Sequence, residues 1–144
     1  MRKILFRGKR KYCDEWVEGY YSYLFNEKAK EHIHEITVQL FEQANMDYPY
    51  PTCDTISCEV IPETVGRFTG LTDKNGKEIF EGDIIQENNG IGVIMWFQAA
   101  WGIASYAYGY DGLKGYTAVD SFYSNETKEW AVIGNIHDNP SLLK

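Results

Sequence analysis

At 144 residues the chain is long enough to bury a real core, and its 11 Tyr, 7 Phe and 4 Trp exclude wholesale disorder. A formal net charge of −7 excludes a domain whose whole surface binds phosphate backbones. Cys13, Cys53 and Cys58 form an odd set without framework spacing, which excludes a disulfide scaffold and fits a reducing cytoplasm.

The basic residues cluster at the start. Arg2, Lys3, Arg7, Lys9, Arg10 and Lys11 precede the first acid, so the remainder is strongly acidic. Ile4 and Phe6 fall on one face of an extended segment, with Leu5 and Arg7 on the other. This is the pattern of a first strand whose cations pair with the acidic body. Read instead as a basic arm, the segment offers Arg7, Lys9, Arg10 and Lys11 to nucleic acid.

A second strand is predicted over Glu15–Leu24, forming a hairpin with the first, and Asn26–Glu31 is a polar connection. His32–Leu40 is rich in β-branched residues and reads as a third strand, although Ile33, Ile36 and Leu40 also fit helical spacing. From Glu42 to Thr55 the chain reads as irregular, with Pro49 and Pro51 interrupting it. Ser57–Ile61 resumes as a strand that Pro62 ends.

Asp73-Lys74-Asn75-Gly76 is a dense reversal signal between two apolar runs. Gly82-Asp83 then forms a corner, with Asp83 expected to bond backbone N–H groups of its own turn. Asn88-Asn89-Gly90 joins a further pair of strands at Ile84–Glu87 and Gly92–Gln98. Gly102–Tyr110 alternates small and aromatic residues, and glycines 109, 112 and 115 mark a loop or bulge. Tyr116–Phe122 and Trp130–Ile136 complete the strands. Asn139 stands where it would cap a short helix beginning at Pro140. Short strands between turn clusters indicate an all-β barrel or roll.

Chemistry-bearing motifs are sparse. His32 and His34 share a strand face, but with Cys53 and Cys58 they do not make zinc-ligand spacing. The serines lack a nucleophile elbow, His137-Asp138 reads as a turn, and no phosphate-binding glycine loop occurs. No catalytic residue, metal or cofactor is expected. Trp96, Phe97, Trp101, Tyr106, Tyr108, Tyr110 and Tyr116 lie close together, and residues 88–113 contain no Lys or Arg. Base-stacking platforms sit in basic grooves, so these aromatics read as core or as a protein or self-association surface. Trp96, Trp101, Tyr106, Tyr108 and Tyr110 are the candidate contact residues. No apolar run approaches the ~20 residues of a membrane span. The basic start is not followed by the apolar core of a secretory leader, and a cytoplasmic protein is expected.

Four segments, ILFRGK from Ile4, WVEGYY from Trp16, IPETVGRFTGLTDKNGKEIFEGDII from Ile61 and VIGNIHDNPSLL from Val132, resemble the YopX family of phage and prophage proteins. The resemblance implies a largely β structure with an SH3-like barrel portion and offers no catalytic residues to carry over. The expected architecture is all-β with little helix. An N-terminal β element with an irregular insertion spans 1–58, and an SH3-like barrel spans 59–144, built mainly from Glu59–Gln98 and Tyr116–Ile136; a single compact domain over 1–144 is the alternative. The resemblance implies no established activity; from the aromatics, the expected role is a non-enzymatic accessory protein that binds a protein partner or a second copy, with nucleic acid at the basic arm as the alternative.

Overall fold

The computed structural model describes residues 4–42, 52–87, 90–97, 99–108, 114–121 and 126–144; the side chains of 41–42, 52–53, 105–108, 114–121 and 126 lie outside this description. The chain is mostly β, with two antiparallel sheets. It divides into two compact units, Ile4–Arg67 and a second that runs from Phe68 to Lys144. Among the described residues no helix is long and apolar enough to cross a membrane.

The first unit is an antiparallel meander of β1 (Phe6–Lys9), β2 (Trp16–Asn26), β3 (Glu31–Glu42) and β4 (Thr52–Glu59), in the spatial order β4-β3-β2-β1. The start of β5 (Gly66–Thr72) lies on the other side of β1, with Gly66 opposite Arg7. The stretch that fits either a strand or a helix is a strand, because His32 to Thr37 pair residue by residue with Phe25 to Tyr20. Asn26 makes that hairpin sharp: its side-chain oxygen accepts the N–H groups of Lys28 and Ala29 at 3.0 and 3.2 Å. Leu5, Ile36 and Val60 are buried, and fully burying a side chain of this kind stabilises by about 2 kcal/mol. Leu5, rather than Ile4, turns inward at the N-terminus; Ile4 is exposed.

One expectation here is corrected. Strand β4 begins at Thr52, not at Ser57, and Thr52–Thr55 pair with Glu42–Gln39. The proline signal ends at Pro51, and beyond it a long facing strand supplies hydrogen bonds that local propensity does not reveal. Residues 43–51, with Pro49 and Pro51, lie outside the described residues.

In the second unit the remainder of β5 pairs with β6 (Glu78–Phe80). A five-stranded sheet follows, of β7 (Asp83–Glu87), β8 (Gly90–Phe97), β9 (Ala100–Tyr108), β10 (Lys114–Ser121) and β11 (Ala131–Asn135), in the order β10-β9-β8-β7-β11. Apolar residues cover both of its faces. Ile85, Ile94 and Ile103 cluster with Ile79 and Trp130; Ile84, Val93 and Ala104 form a second cluster that Met95 and Leu143 join. Burial on both faces explains why Ile84-Ile85 and Val93-Ile94 are consecutive apolar pairs instead of an alternation.

Asp83 behaves as its sequence context suggests. It is 1% exposed, and its carboxylate accepts the Phe80 N–H at 2.8 Å. Gly70 has φ 89° within β5, where the β5–β6 register shifts. Asn139 precedes a 3-10 turn at Pro140–Leu143 but makes no side-chain cap; its Oδ1 accepts the Asn135 N–H at 3.2 Å, beside Gly134. The β8–β9 hairpin turns at Ala99 with φ 62°, at a position that carries no glycine signal. Asn88 and Asn89 lie outside the described residues, and their neighbours Glu87 and Gly90 are paired.

Candidate functional site

The basic cluster of the first unit is held by acids. Lys9 Nζ lies 2.6 Å from Asp14 Oδ1, and Arg10 Nη1 lies 3.0 Å from Glu15 Oε2. Lys11 pairs with Glu59, whose other oxygen accepts the Tyr12 hydroxyl at 3.1 Å. The bond to Glu59 raises the Lys11 pKa, and the same bond holds the Glu59 carboxyl below its ordinary range. The Cys13 and Cys58 sulfurs, followed by Glu15, raise the pKa of Arg10. Arg7 is stacked over Trp16, 4.8 Å from the ring centroid. Arg2 and Lys3 lie outside the described residues. Thus Lys9, Arg10 and Lys11 are already matched by carboxylates, an arrangement unlike an open phosphate-binding surface.

The two faces of β2–β3–β4 differ sharply. Strand alternation and the observed register put Tyr21, Tyr23 and Phe25 on one face with His32, His34, Ile36 and Leu40, and with Asp54, Ile56 and Cys58 of β4. Among the described side chains of these three strands, this face carries no Lys, Arg or Glu. Its rings form a continuous ladder. Phe6 and Tyr21 centroids are 5.4 Å apart, Tyr21 and His34 6.0 Å, Tyr23 and His32 5.5 Å, and Phe25 and His32 5.2 Å. The Tyr21 hydroxyl meets His34 Nδ1 at 2.5 Å. Burial raises the Tyr21 pKa, with Tyr23 adding to the effect.

Exposure rises along the ladder. Ile36 is fully buried, Tyr21 half-buried, and Tyr23 and Phe25 are 62% and 52% exposed. Leu40 and Ile56 extend the open end at 43% and 51%. A mainly aromatic and apolar surface of this kind, with Asp54 as the charged group among its described side chains, suits a protein contact in which large rings supply contact area at little conformational cost.

The second unit places the predicted aromatics differently. Trp96 and Trp101 are cross-strand partners in an edge-to-face arrangement at 5.0 Å. Trp101 packs against the cluster of Ile79, Ile94 and Trp130, whereas Trp96 and Phe97 are each 45% exposed. Tyr106 is opposite Ile91 and Tyr116, and Tyr108 opposite Lys114, at positions of opposite parity to Trp101 along β9. Tyr110 lies outside the described residues. The Tyr21–Phe25 ladder was not singled out from sequence. Its signal is the every-second-residue spacing of Tyr21, Tyr23 and Phe25 beside His32-x-His34, which makes a surface only once β2 and β3 are paired.

These features define a mostly β protein of two compact units, the first of which exposes an aromatic sheet face. The family model described as YopX protein matches residues 5–144, and the chain belongs to that family. It is similar to the crystal structure of protein EF1440 from Enterococcus faecalis, at 26% identity over 100% of each chain, with a TM-score of 0.52. No curated protein matches the chain.

Proposed function

We propose that the protein is a non-enzymatic accessory factor, encoded by a phage or prophage and acting in the bacterial cytoplasm, that binds a protein partner through exposed aromatics. The observation that carries this reading is the open end of the β2–β3 ladder, where Tyr23 and Phe25 stand more than half exposed on a face whose described side chains include no Lys, Arg or Glu and a single acid, Asp54. Trp96 supplies a further exposed ring in the second unit, for which an SH3-like strand arrangement is part of the proposal. The ion pairs of Lys9, Arg10 and Lys11 favour a protein partner over nucleic acid.

The test is capture from a bacterial lysate on the whole chain, with and without nuclease, using wild type and a Tyr23→Ala/Phe25→Ala variant. A protein retained after nuclease and lost with the variant is the expected result. Retention that depends on intact nucleic acid would overturn the reading and move the contact to Arg7–Lys11.

A further inference from the structure

We propose that strand β4 is a self-pairing edge, through which two copies of this chain join antiparallel about a twofold axis at Ile56. Strand β4 ends its sheet, and its register with β3 runs unbroken from Glu42–Thr52 to Glu35–Glu59, so no bulge twists the edge away. From Cys53 to Cys58 it carries no Lys, Arg or Pro. Soluble proteins guard exposed edges with charges, prolines and bulges; between Cys53 and Cys58 this edge has one charge, Asp54, and is otherwise a template for another strand.

Two observed bonds fix which groups face outward. The Val60 N–H donates to His34 O of β3, and Glu59 O accepts the Lys11 N–H from the opposite side. Alternation along the strand then turns the main-chain groups of Thr55 and Ser57 outward. The Lys11 contact and the Arg10–Val60 bridge close the C-terminal end, with Tyr12 and Cys13 near Ser57 and Cys58; among the described residues no strand pairs with the outer side of β4 before Glu59.

Self-complementarity names the occupant. With Ile56 opposite Ile56 of the second copy, Thr55 meets Ser57 and Asp54 meets Cys58, so no like charges lie directly opposite. A chain of net charge −7 can therefore approach its own copy at this strand. Ile56 is 51% exposed and sits beside Val38, so the pairing continues an existing apolar row. On the other face, the Thr37–Ser57 hydroxyl contact at 2.9 Å would extend to Thr55 of the second copy. Moving the register until Asp54 faces Asp54 would oppose two carboxylates. A closed twofold pair also uses up both edges and stops further growth. The inference rests on the main-chain groups of the edge; Ile56 also borders the aromatic face, and Thr55→Pro tests the edge without altering that face.

Sedimentation equilibrium on the whole chain across the micromolar range tests it, comparing wild type with Thr55→Pro and Ile56→Lys. Proline removes an outward N–H that β3 does not use, and lysine places like charges at the axis. The expected result is a wild-type dimer and at least about tenfold weaker association in both variants, with the wild-type β spectrum retained. A second measurement fixes the register. With Cys13, Cys53 and Cys58 changed to Ser, Ile56→Cys should cross-link into a dimer under oxidised glutathione, and Thr37→Cys should not. A monomeric wild type, association unchanged in either variant, or failure of the Ile56→Cys cross-link would overturn the proposal.

Discussion

Asp73 stands in the turn between β5 and β6, yet one of its carboxylate oxygens accepts the backbone N–H of Val132, 59 positions later, at 2.9 Å. Its other oxygen accepts the N–H groups of Asn75 and Lys77 at 2.8 and 3.0 Å. One side chain therefore closes its own turn and fastens β11 to it. The adjacent Lys74 N–H donates to Trp130 O at 3.1 Å and doubles the link.

Replacing Asp73 with Ala should orphan these donors at a site only 5% exposed. The expected loss is about 3 kcal/mol, since each buried unsatisfied group costs on the order of 1–3 kcal/mol and some would reach water. Urea unfolding should show a lower midpoint at an unchanged slope. Asp73→Asn, which keeps one acceptor oxygen, should lose less.

Acid should act through the same residue. Burial works to raise the Asp73 pKa, but the N–H groups of Val132, Lys77 and Asn75 outweigh it and the net shift is downward. A folded-state pKa below the unfolded one stabilises at pH above the ordinary carboxylate range. That stability is lost as pH falls through the folded value. Wild type should thus weaken on acidification below about pH 4, and Asp73→Asn should show a flatter profile. Equal slopes for the two proteins would contradict the assignment.

Gly76 and Gly82 have φ of 80° and 82°. A Cβ at Gly76 would meet nothing within 4 Å, and one at Gly82 would make an ordinary 3.5 Å contact with Ile136. Gly76→Ala and Gly82→Ala should therefore cost similar amounts, about 1–2 kcal/mol each from left-handed backbone strain alone. Thermal unfolding of the two variants compares them directly, and a much larger loss at Gly82 would point to a steric effect.

The paired tryptophans should separate on truncation. Trp101→Ala removes a ring packed on the Ile79–Trp130 cluster and should cost about 3 kcal/mol in urea unfolding. Trp96→Ala, from a ring 45% exposed, should cost less than about 1.5 kcal/mol, mostly the edge-to-face contact. Comparable losses would mean that Trp96 is as much part of the core as Trp101.

Much of the fold was legible before any coordinates. The alternation in Glu15–Leu24, the β-branched run from His32, the Asp73–Gly76 reversal and the Gly82-Asp83 corner all mark elements found in place, because periodicity and turn chemistry are local. The same locality explains the errors. Nothing between Glu42 and Thr55 announces that β4 starts at Thr52, since its hydrogen bonds come from β3. Asn139 has a capping residue's chemistry, but the Asn135 N–H claims its oxygen.

The sequence by itself determined a β-rich chain, its main turns and its family, because each depends on residues close together in the chain. Tertiary structure decided what those residues do. It set Lys11 against Glu59, 48 positions away, and so matched a basic segment with acid. It aligned Tyr23 and Phe25 with His32 and left them exposed, while it packed Trp101 on a core. The physical reason is that a period of two assigns a side chain to a face, but only the pairing of distant strands determines what covers that face.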